Sequence, residues 1–318
     1  MFAAAFPTGS SPHRGQRDGC HRMNQLFQHR PDEVIDKLVQ WAEARESIRA
    51  MLLTSTRAVP NAPVDIFSDY DVILVVEDIH PFFEERSWLE DFGEVVVVYW
   101  DPIYTDPDYG IEKVANVTQY ADGLKIDFTL WPVELLQRII QSAFVHAELD
   151  AGYRVLLDKD HLTGEMKPPT YKAYIPTRPT LNEYQKAIND FFSDAPYVAK
   201  CLLREELFPA KWCLDYDMKH VYLRPMLEWR AELDQNWSVP IGSLSKGLKK
   251  RLPSELWSQL RDTYTGADIA DNWDSLFRTM DLYRKVAMDV GEALGYEYPL
   301  DLDERVTAFV QKMRRMSP

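Results

Sequence analysis

The sequence predicts an α+β protein in which an N-terminal mixed β-sheet with helices is followed by an all-helical C-terminal bundle. Short apolar runs rich in valine and isoleucine fill the first half, as in residues 69–76 and 94–100, and such runs are typical of strands. Further on, apolar residues recur at helical spacing, most clearly over residues 272–294, which predicts amphipathic helices. Prolines cluster between the two halves and indicate a connector.

At 318 residues the chain is long enough for two domains with separate cores. Residues 1–22 are rich in Gly, Ser, Pro and Arg without periodicity, and we interpret them as a disordered leader. The sheet domain then covers residues 23–165, the proline-rich connector residues 166–180, and the helical domain residues 181–318.

Within the sheet domain, residues 31–48 carry an apolar stripe that predicts the first helix, with Pro31 in its first turn. A buried strand is expected at residues 48–54, and two more at 69–76 and 94–100. Two further strand-like runs flank Ala121-Asp-Gly123. Because Asp-Gly between such runs favours a tight turn, they predict a hairpin.

The helical domain is expected to contain six helices. Pro209 should kink or divide the second of them, because proline lacks the backbone N–H group and clashes with the preceding turn. Their predicted ranges are 181–193, 196–215, 221–233, 253–264, 272–294 and 303–313.

Composition excludes some classes of function. The net charge of −14 argues against a chain built mainly to bind nucleic acid, whereas it suits a polycationic ligand as well as ordinary solubility. The three cysteines lack metal-ligand spacing, so we expect a reducing compartment, the cytoplasm. No apolar run approaches the ~20 residues that a membrane helix needs.

Two aspartates one residue apart, Asp69 and Asp71, open the strand at residues 69–76. Side chains of a strand alternate between faces, so both carboxylates point the same way. Buried like charges repel each other unless a partner compensates them. A divalent cation is the simplest partner, and Mg²⁺ prefers oxygen ligands from one or two carboxylates together with substrate phosphates.

A hydroxyl-rich turn and a third aspartate strengthen this interpretation. Ser55 and Thr56 follow the strand at residues 48–54 and can hold triphosphate oxygens, while Arg57 can neutralise them. Asp127 lies inside an otherwise apolar strand and needs a compensating partner. If that strand lies beside residues 69–76, Asp127 can either complete the metal shell or accept a proton from an acceptor hydroxyl.

These segments resemble the motifs of the nucleotidyltransferase superfamily, and specifically of the aminoglycoside 6-adenylyltransferase (streptomycin adenylyltransferase) family. The resemblance rests on Ser55-Thr56-Arg57, Phe67-Ser-Asp-Tyr-Asp71 and Lys125-Ile-Asp127, and it extends over roughly residues 24–315. Supporting segments are residues 88–93, 197–204, 210–212 and 226–229.

The resemblance implies ATP as the donor, Mg²⁺ held by Asp69 and Asp71 with Asp127 as the third acidic residue, and an aminoglycoside acceptor, hence antibiotic resistance. It also implies a nucleotidyltransferase-type sheet domain followed by a helical substrate-binding domain. In that helical domain, Lys200 would reach the triphosphate. Arg204, four residues later, would reach it together with Lys200. One departure stands out, because the family commonly has glycine where this chain has Ser55, and serine suits that turn only where the backbone does not require positive φ.

The sequence therefore predicts an enzyme that transfers AMP from ATP to a hydroxyl of a streptomycin-like aminoglycoside, with ATP and a small cationic molecule as its partners. Two alternatives remain open at this point. The acceptor hydroxyl could belong to a protein or a nucleic acid, or the chain could be a catalytically silent nucleotide-binding module, for which Ser55 is the supporting feature. Spacing alone also permits Lys200 and Arg204 to lie on a solvated helix face, paired with Glu205 or Glu206.

Overall fold

The computed structural model describes residues 30–317, so the predicted leader at residues 1–22 lies outside the described part. The chain divides into two compact units, the first ending at Tyr171 and the second beginning at Lys172. This division falls within the proline-rich segment at residues 166–180. Among the described residues, no helix is long and apolar enough to cross a membrane.

The first unit combines one β-sheet with short helices. Its strands are β1 (Ile48–Thr54), β2 (Tyr70–Val76), β3 (Val95–Trp100), β4 (Tyr104–Thr105), β5 (Glu112–Tyr120), β6 (Lys125–Pro132) and β7 (Tyr153–Asp158). Its α-helices are α1 (Pro31–Glu43), α2 (His80–Glu84), α3 (Val133–Gln141) and α4 (Ala147–Asp150), with 3₁₀ turns at Ser55–Ala58 and Ser87–Phe92.

The sheet is mixed, with strand order β3-β5-β6-β2-β1-β7, and the short strand β4 also pairs with β5. Strands β2 and β6 run parallel, whereas β5 and β6 form the antiparallel hairpin that was predicted around Asp122 and Gly123. Gly123 has a φ of 91°, a conformation that glycine adopts without steric cost. The sequence therefore folds locally as expected at this turn.

Each face of the sheet packs against its own apolar layer. On one face Leu38 and Trp41 of α1 join alternate residues of the strands, among them Leu74 and Phe128. On the other face Leu135 and Leu136 of α3 pack against the intervening residues. Side chains alternate between the two faces along each strand, which explains both layers. By this alternation, Asp71 and Asp127 lie on the same face as the residues that α3 covers later in the same strands.

All regular elements among the described residues of the second unit are helical, which agrees with the predicted fold class. Its α-helices are α5 (Leu181–Leu203), α6 (Leu207–Lys211), α7 (Arg224–Leu233), α8 (Ser254–Asp262), α9 (Ile269–Leu294) and α10 (Leu300–Arg314). A π-helix over Trp212–Leu223 joins α6 to α7. The buried stripes of α5 and α9 contribute much of a single apolar core.

Proline placement corrects one predicted boundary. Helices were expected at residues 181–193 and 196–215, yet α5 runs through Pro196 without a break. Fully buried residues on both sides of this proline, such as Phe192 and Ala199, hold the helix in place, because tertiary packing outweighs one missing hydrogen bond. The division expected from Pro209 occurs at residues 204–206, where Glu205, four residues before the proline, has a φ of 58°.

Candidate active site

Register brings two of the predicted carboxylates side by side. In the parallel pair β2 and β6, Asp71 lies directly opposite Asp127. Residues paired in this way point to the same face of a sheet. The condition set by the sequence, that the strand of Asp127 must lie beside residues 69–76, is therefore met.

Asp69 precedes β2 and joins the same group through a lysine. Lys125 Nζ lies 2.6 Å from Asp69 Oδ2 and 2.8 Å from Asp127 Oδ2. Lys125 is two residues before Asp127, so strand alternation directs both side chains to one face. One ammonium group thus bridges two of the three carboxylates.

Burial and mutual repulsion determine the acidity of this cluster. Desolvation, followed by the negative charges of Asp127 and Asp69, raises the pKa of Asp71 to about 6. Desolvation also raises the pKa of Asp127, although Lys125 opposes the increase. Burial alone would lower the pKa of Lys125, but its hydrogen bonds to Asp127 and Asp69 raise it above the ordinary value. The cluster therefore favours added positive charge.

The donor set suits a divalent cation. Asp127 Oδ1 is buried and accepts no hydrogen bond from any described residue, although an unsatisfied buried oxygen is costly. Hard carboxylate oxygens are the ligands that Mg²⁺ takes in proteins. The chemistry of the donors therefore suits Mg²⁺, and Asp69, Asp71 and Asp127 are its candidate ligands.

The turn after β1 carries the expected hydroxyls, with an unexpected backbone. Ser55 opens the 3₁₀ turn Ser55–Ala58 with a φ of 59°. For a residue other than glycine this left-handed conformation costs about 1–2 kcal/mol. Its hydroxyl interacts with the Asp71 carboxylate and partly opposes the rise in the pKa of that group. Serine therefore occupies, under strain, a conformation that glycine adopts freely, and gains a contact to Asp71 in return.

Arg57 holds the segment that leads into β2. Its Nε donates to the backbone carbonyl of Asp69 at 3.0 Å, and its Nη2 donates to that of Ser68 at 2.7 Å. The guanidinium also lies 3.9 Å from the centre of the Tyr70 ring. In this arrangement Arg57 fixes the backbone from which Asp69 projects.

An open cleft of about 260 Å³ lies beside Asp69 and Lys125. Arg57 and the hairpin turn at Gly123 form other parts of its wall, together with the loop at residues 64–68. Asp71 and Asp127 are not among its lining residues, so the cleft adjoins the carboxylate cluster at Asp69 and Lys125.

Lys200 and Arg204, the two basic residues predicted to bind nucleotide, belong to the second unit. Lys200 lies exposed in the last turn of α5, and Arg204 follows as its C-cap. Arg204 Nη1 is 3.8 Å from Glu206 Oε2, and both side chains are largely exposed. Their nucleotide-binding role stays a prediction.

Lys125 is the functional candidate that sequence reasoning left without a role. The sequence did indicate that Lys125 lies near Asp127, because residues two apart in a strand share a face. Its bridge to Asp69, however, spans 56 positions of the chain and depends on the pairing of β2 with β6.

Three carboxylates at the ends of two adjacent strands, next to a hydroxyl-bearing turn in a mixed sheet, define an enzyme of the nucleotidyltransferase class. The family model described as streptomycin adenylyltransferase matches residues 29–313, and the chain therefore belongs to that family.

Curated relatives agree with this assignment. An aminoglycoside 6-adenylyltransferase of Bacillus subtilis (strain 168) is 31% identical over 281 residues, which cover 88% of this chain and 96% of the relative. One of Campylobacter jejuni is 29% identical over 286 residues, covering 89% and 95%. A crystal structure of an aminoglycoside 6-adenyltransferase from Bacillus subtilis aligns with 27% identity over 90% of this chain and 99% of the other, with a TM-score of 0.41.

Proposed function

We propose that this protein is a Mg²⁺-dependent adenylyltransferase that moves AMP from ATP to a hydroxyl of an aminoglycoside, with streptomycin as the first acceptor to test, and so confers antibiotic resistance. Membership of the streptomycin adenylyltransferase family supports the reaction class. The names of the relatives at about 30% identity support the acceptor class. The net charge of −14 suits a polycationic acceptor.

The observation that carries the proposal is the side-by-side placement of Asp71 and Asp127, with one buried Asp127 oxygen left without a partner. A carboxylate that serves only the fold is normally satisfied by donors. An oxygen without one is available to a ligand, to a metal or to a proton in transfer. This arrangement supports a reacting centre over a merely structural cluster.

Asp69 and Asp71 would hold the magnesium ion, with Asp127 as the third acidic residue beside them. When bound, the ion would polarise the α-phosphate and neutralise charge on the phosphate oxygens. The raised pKa of Asp71 agrees with this role, since a carboxylate group destabilised by its neighbours gains most from an added cation.

The remaining residues position the substrates. Ser55 and Thr56 offer hydroxyl and backbone N–H groups to the triphosphate, and Arg57, Lys200 and Arg204 offer positive charge. Asp127 either completes the shell of the ion or accepts the proton of the attacking hydroxyl, and its raised pKa suits the second role because it brings the group closer to an effective general base. Lys125 keeps Asp127 and Asp69 together and offsets their repulsion.

Pyrophosphate release tests the proposal. Purified protein is incubated with ATP and Mg²⁺ together with streptomycin, kanamycin, spectinomycin or no acceptor. Release that depends on streptomycin, together with a product heavier by one AMP in mass spectrometry, is the expected result. ATP binding without release on any aminoglycoside contradicts the proposal and favours a silent nucleotide-binding module.

A second arm separates small acceptors from macromolecular ones. ATP labelled on the α-phosphate is added to lysate that contains the protein, with and without streptomycin. We expect label in the small-molecule fraction only when streptomycin is present. Label on protein or nucleic acid contradicts an aminoglycoside acceptor while leaving nucleotidyl transfer intact.

A further inference from the structure

One row of side chains crosses the whole sheet at the level of the carboxylates. Thr54 of β1 pairs with Asp71, and Asp71 pairs with Asp127. On the far side, Asp127 pairs with Val117 of β5, and Val117 pairs with Tyr99 of β3. Because residues paired across strands share a face, Val117 and Tyr99 lie on the carboxylate face.

This part of the face is open and apolar. Tyr99 is 61% exposed, Val97 is 59% exposed and Val117 is 38% exposed. Farther along the same face, Ile73 and Trp131 are almost completely buried beneath α3. Large apolar groups that stay uncovered beside a reacting centre mark a place for a ligand.

An acidic group extends this surface. Asp101 follows Tyr99 by two residues, and its backbone N–H still donates to the Ala115 carbonyl at 3.0 Å. The strand pairing therefore continues to Asp101 and keeps its side chain on the same face. An aromatic ring next to a carboxylate is complementary to a ligand that carries cationic groups on an apolar ring.

The in-line geometry of nucleotidyl transfer indicates that the ligand of this surface is the acceptor. In nucleotidyl transfer the attacking and leaving oxygens lie roughly in line on opposite sides of the phosphorus. The turn at Ser55 follows β1, on one side of Asp71 and Asp127, whereas β5 and β3 lie on the other side. If the leaving pyrophosphate is held at the turn, the acceptor hydroxyl has to approach from the side of β5 and β3.

We propose that Val97, Tyr99, Asp101 and Val117 form an acceptor platform that binds the polycationic aminoglycoside beside Asp127. The Tyr99 ring packs against a ring of the acceptor, and Asp101 pairs with one of its protonated amino or guanidino groups. This assignment rests on the proposed function and adds to it the surface that selects the acceptor.

Steady-state kinetics of three variants test the platform. Tyr99→Ala removes the ring, and Tyr99→Phe keeps it. Val98→Ala truncates the residue before Tyr99, which lies on the opposite face of the sheet and pairs with the buried Thr118. We expect Tyr99→Ala to raise KM for streptomycin about tenfold, with KM for ATP unchanged. Tyr99→Phe retains the ring and should restore KM for streptomycin, whereas Val98→Ala is the control and should match the wild type.

Each other outcome overturns the platform in a recognisable way. An unchanged KM for streptomycin in Tyr99→Ala excludes a role for the ring, and an equal rise in KM for ATP assigns the surface to the nucleotide. A wild-type dimer in size-exclusion chromatography that Tyr99→Ala dissociates, with acceptor KM unchanged, assigns the surface to a second copy of the chain. If the wild type transfers AMP to no aminoglycoside, the proposed function fails and the platform fails with it.

Discussion

Asp127 in the sheet unit and Asp303 in the helical unit differ in how completely their carboxylates are hydrogen-bonded. Asp303 is 1% exposed and accepts hydrogen bonds from Arg284 Nη2 at 2.7 Å and from the Tyr298 hydroxyl at 2.7 Å. Thr307 adds a third donor at 2.9 Å. Asp127 has one charged donor, Lys125, and one buried oxygen without a partner.

The pKa values of the two groups follow these surroundings. Burial acts to raise the pKa of Asp303, but the hydrogen bonds from Arg284, Tyr298 and Thr307 overcome it and lower the pKa below the ordinary value. The pKa of Asp127 is raised because desolvation exceeds the effect of Lys125. Asp303 is thus supplied with donors, whereas Asp127 is left incompletely satisfied, at a cost in stability.

Replacing Asp71 with Asn should abolish function without weakening the fold. We expect Asp71→Asn to lower kcat for AMP transfer at least about 10³-fold, because the variant loses a metal ligand and the charge that holds the ion. Its melting temperature should stay equal to or above that of the wild type, because the repulsion from Asp127 and Asp69 is relieved. Pyrophosphate release and thermal melting measure the two effects.

Asp78→Asn is the matched control for this variant. Asp78 belongs to the same unit, is exposed and pairs with His80, so its replacement should leave kcat within about twofold of the wild type, as expected for a surface site. Turnover retained by Asp71→Asn would refute the proposed metal site.

The corresponding change in the helical unit should have the opposite profile. Asp303→Asn leaves Arg284 without its buried partner, and breaking such a pair costs about 3 kcal/mol. Urea denaturation should report this loss, while KM and kcat of the folded fraction remain unchanged. Asp301→Asn serves as the control, because Asp301 pairs with Arg305 on the surface and should change stability by at most about 0.5 kcal/mol. Loss of transfer with unchanged stability in Asp303→Asn would erase the distinction between the two carboxylates.

Stability should also depend on pH with opposite signs at the two sites. The pKa of Asp71 in the folded state is about 6, above its ordinary value of 3.8, so the folded wild type loses stability as pH rises from about 4 to 6. Asp71→Asn lacks this penalty and should be the more stable protein above pH 6, by about 3 kcal/mol. The pKa of Asp303 is lowered, so its contribution is present above about pH 4 and is lost as pH falls below that value.

Denaturant unfolding from pH 3 to 8, in EDTA and without nucleotide, measures both dependences. The difference in unfolding free energy between Asp71→Asn and the wild type should shrink towards zero as pH falls from 6 to 4. The difference between the wild type and Asp303→Asn should shrink only below about pH 4. A constant difference for Asp71→Asn across this range would contradict its raised pKa.

Local rules predicted the strands and helices that carry the site. Strand alternation placed Asp69 and Asp71 on one face, and the Asp-Gly turn predicted the hairpin of β5 and β6. The α+β fold class is confirmed. What local rules could not supply was register, because the pairing of Asp71 with Asp127 joins segments 56 positions apart.

The same limit explains what the sequence did not reveal. The Lys125 bridge and the row that reaches Val117 and Tyr99 both depend on which strands are neighbours. The continuity of α5 through Pro196 depends on packing that no single helix specifies. The roles assigned to Lys200 and Arg204 stay predictions, because the resemblance to the family suggested them and no contact described for these residues tests them.

The smallest expected effect concerns Ser55, whose backbone is strained in the turn and whose hydroxyl contacts Asp71 of the acidic cluster. Ser55→Gly relieves the strain of a left-handed φ of 59°, which should stabilise the fold by about 1 kcal/mol. The same change removes the hydroxyl that contacts Asp71, which should destabilise the fold by about 1 kcal/mol. Its stability should therefore stay near that of the wild type, whereas Ser55→Ala keeps the strain and loses the contact, and should be destabilised by about 1 kcal/mol. Urea denaturation of the three proteins measures the difference. If Ser55→Gly and Ser55→Ala were equally destabilised, the positive φ would carry no cost, and the contact to Asp71 alone would account for serine in this turn.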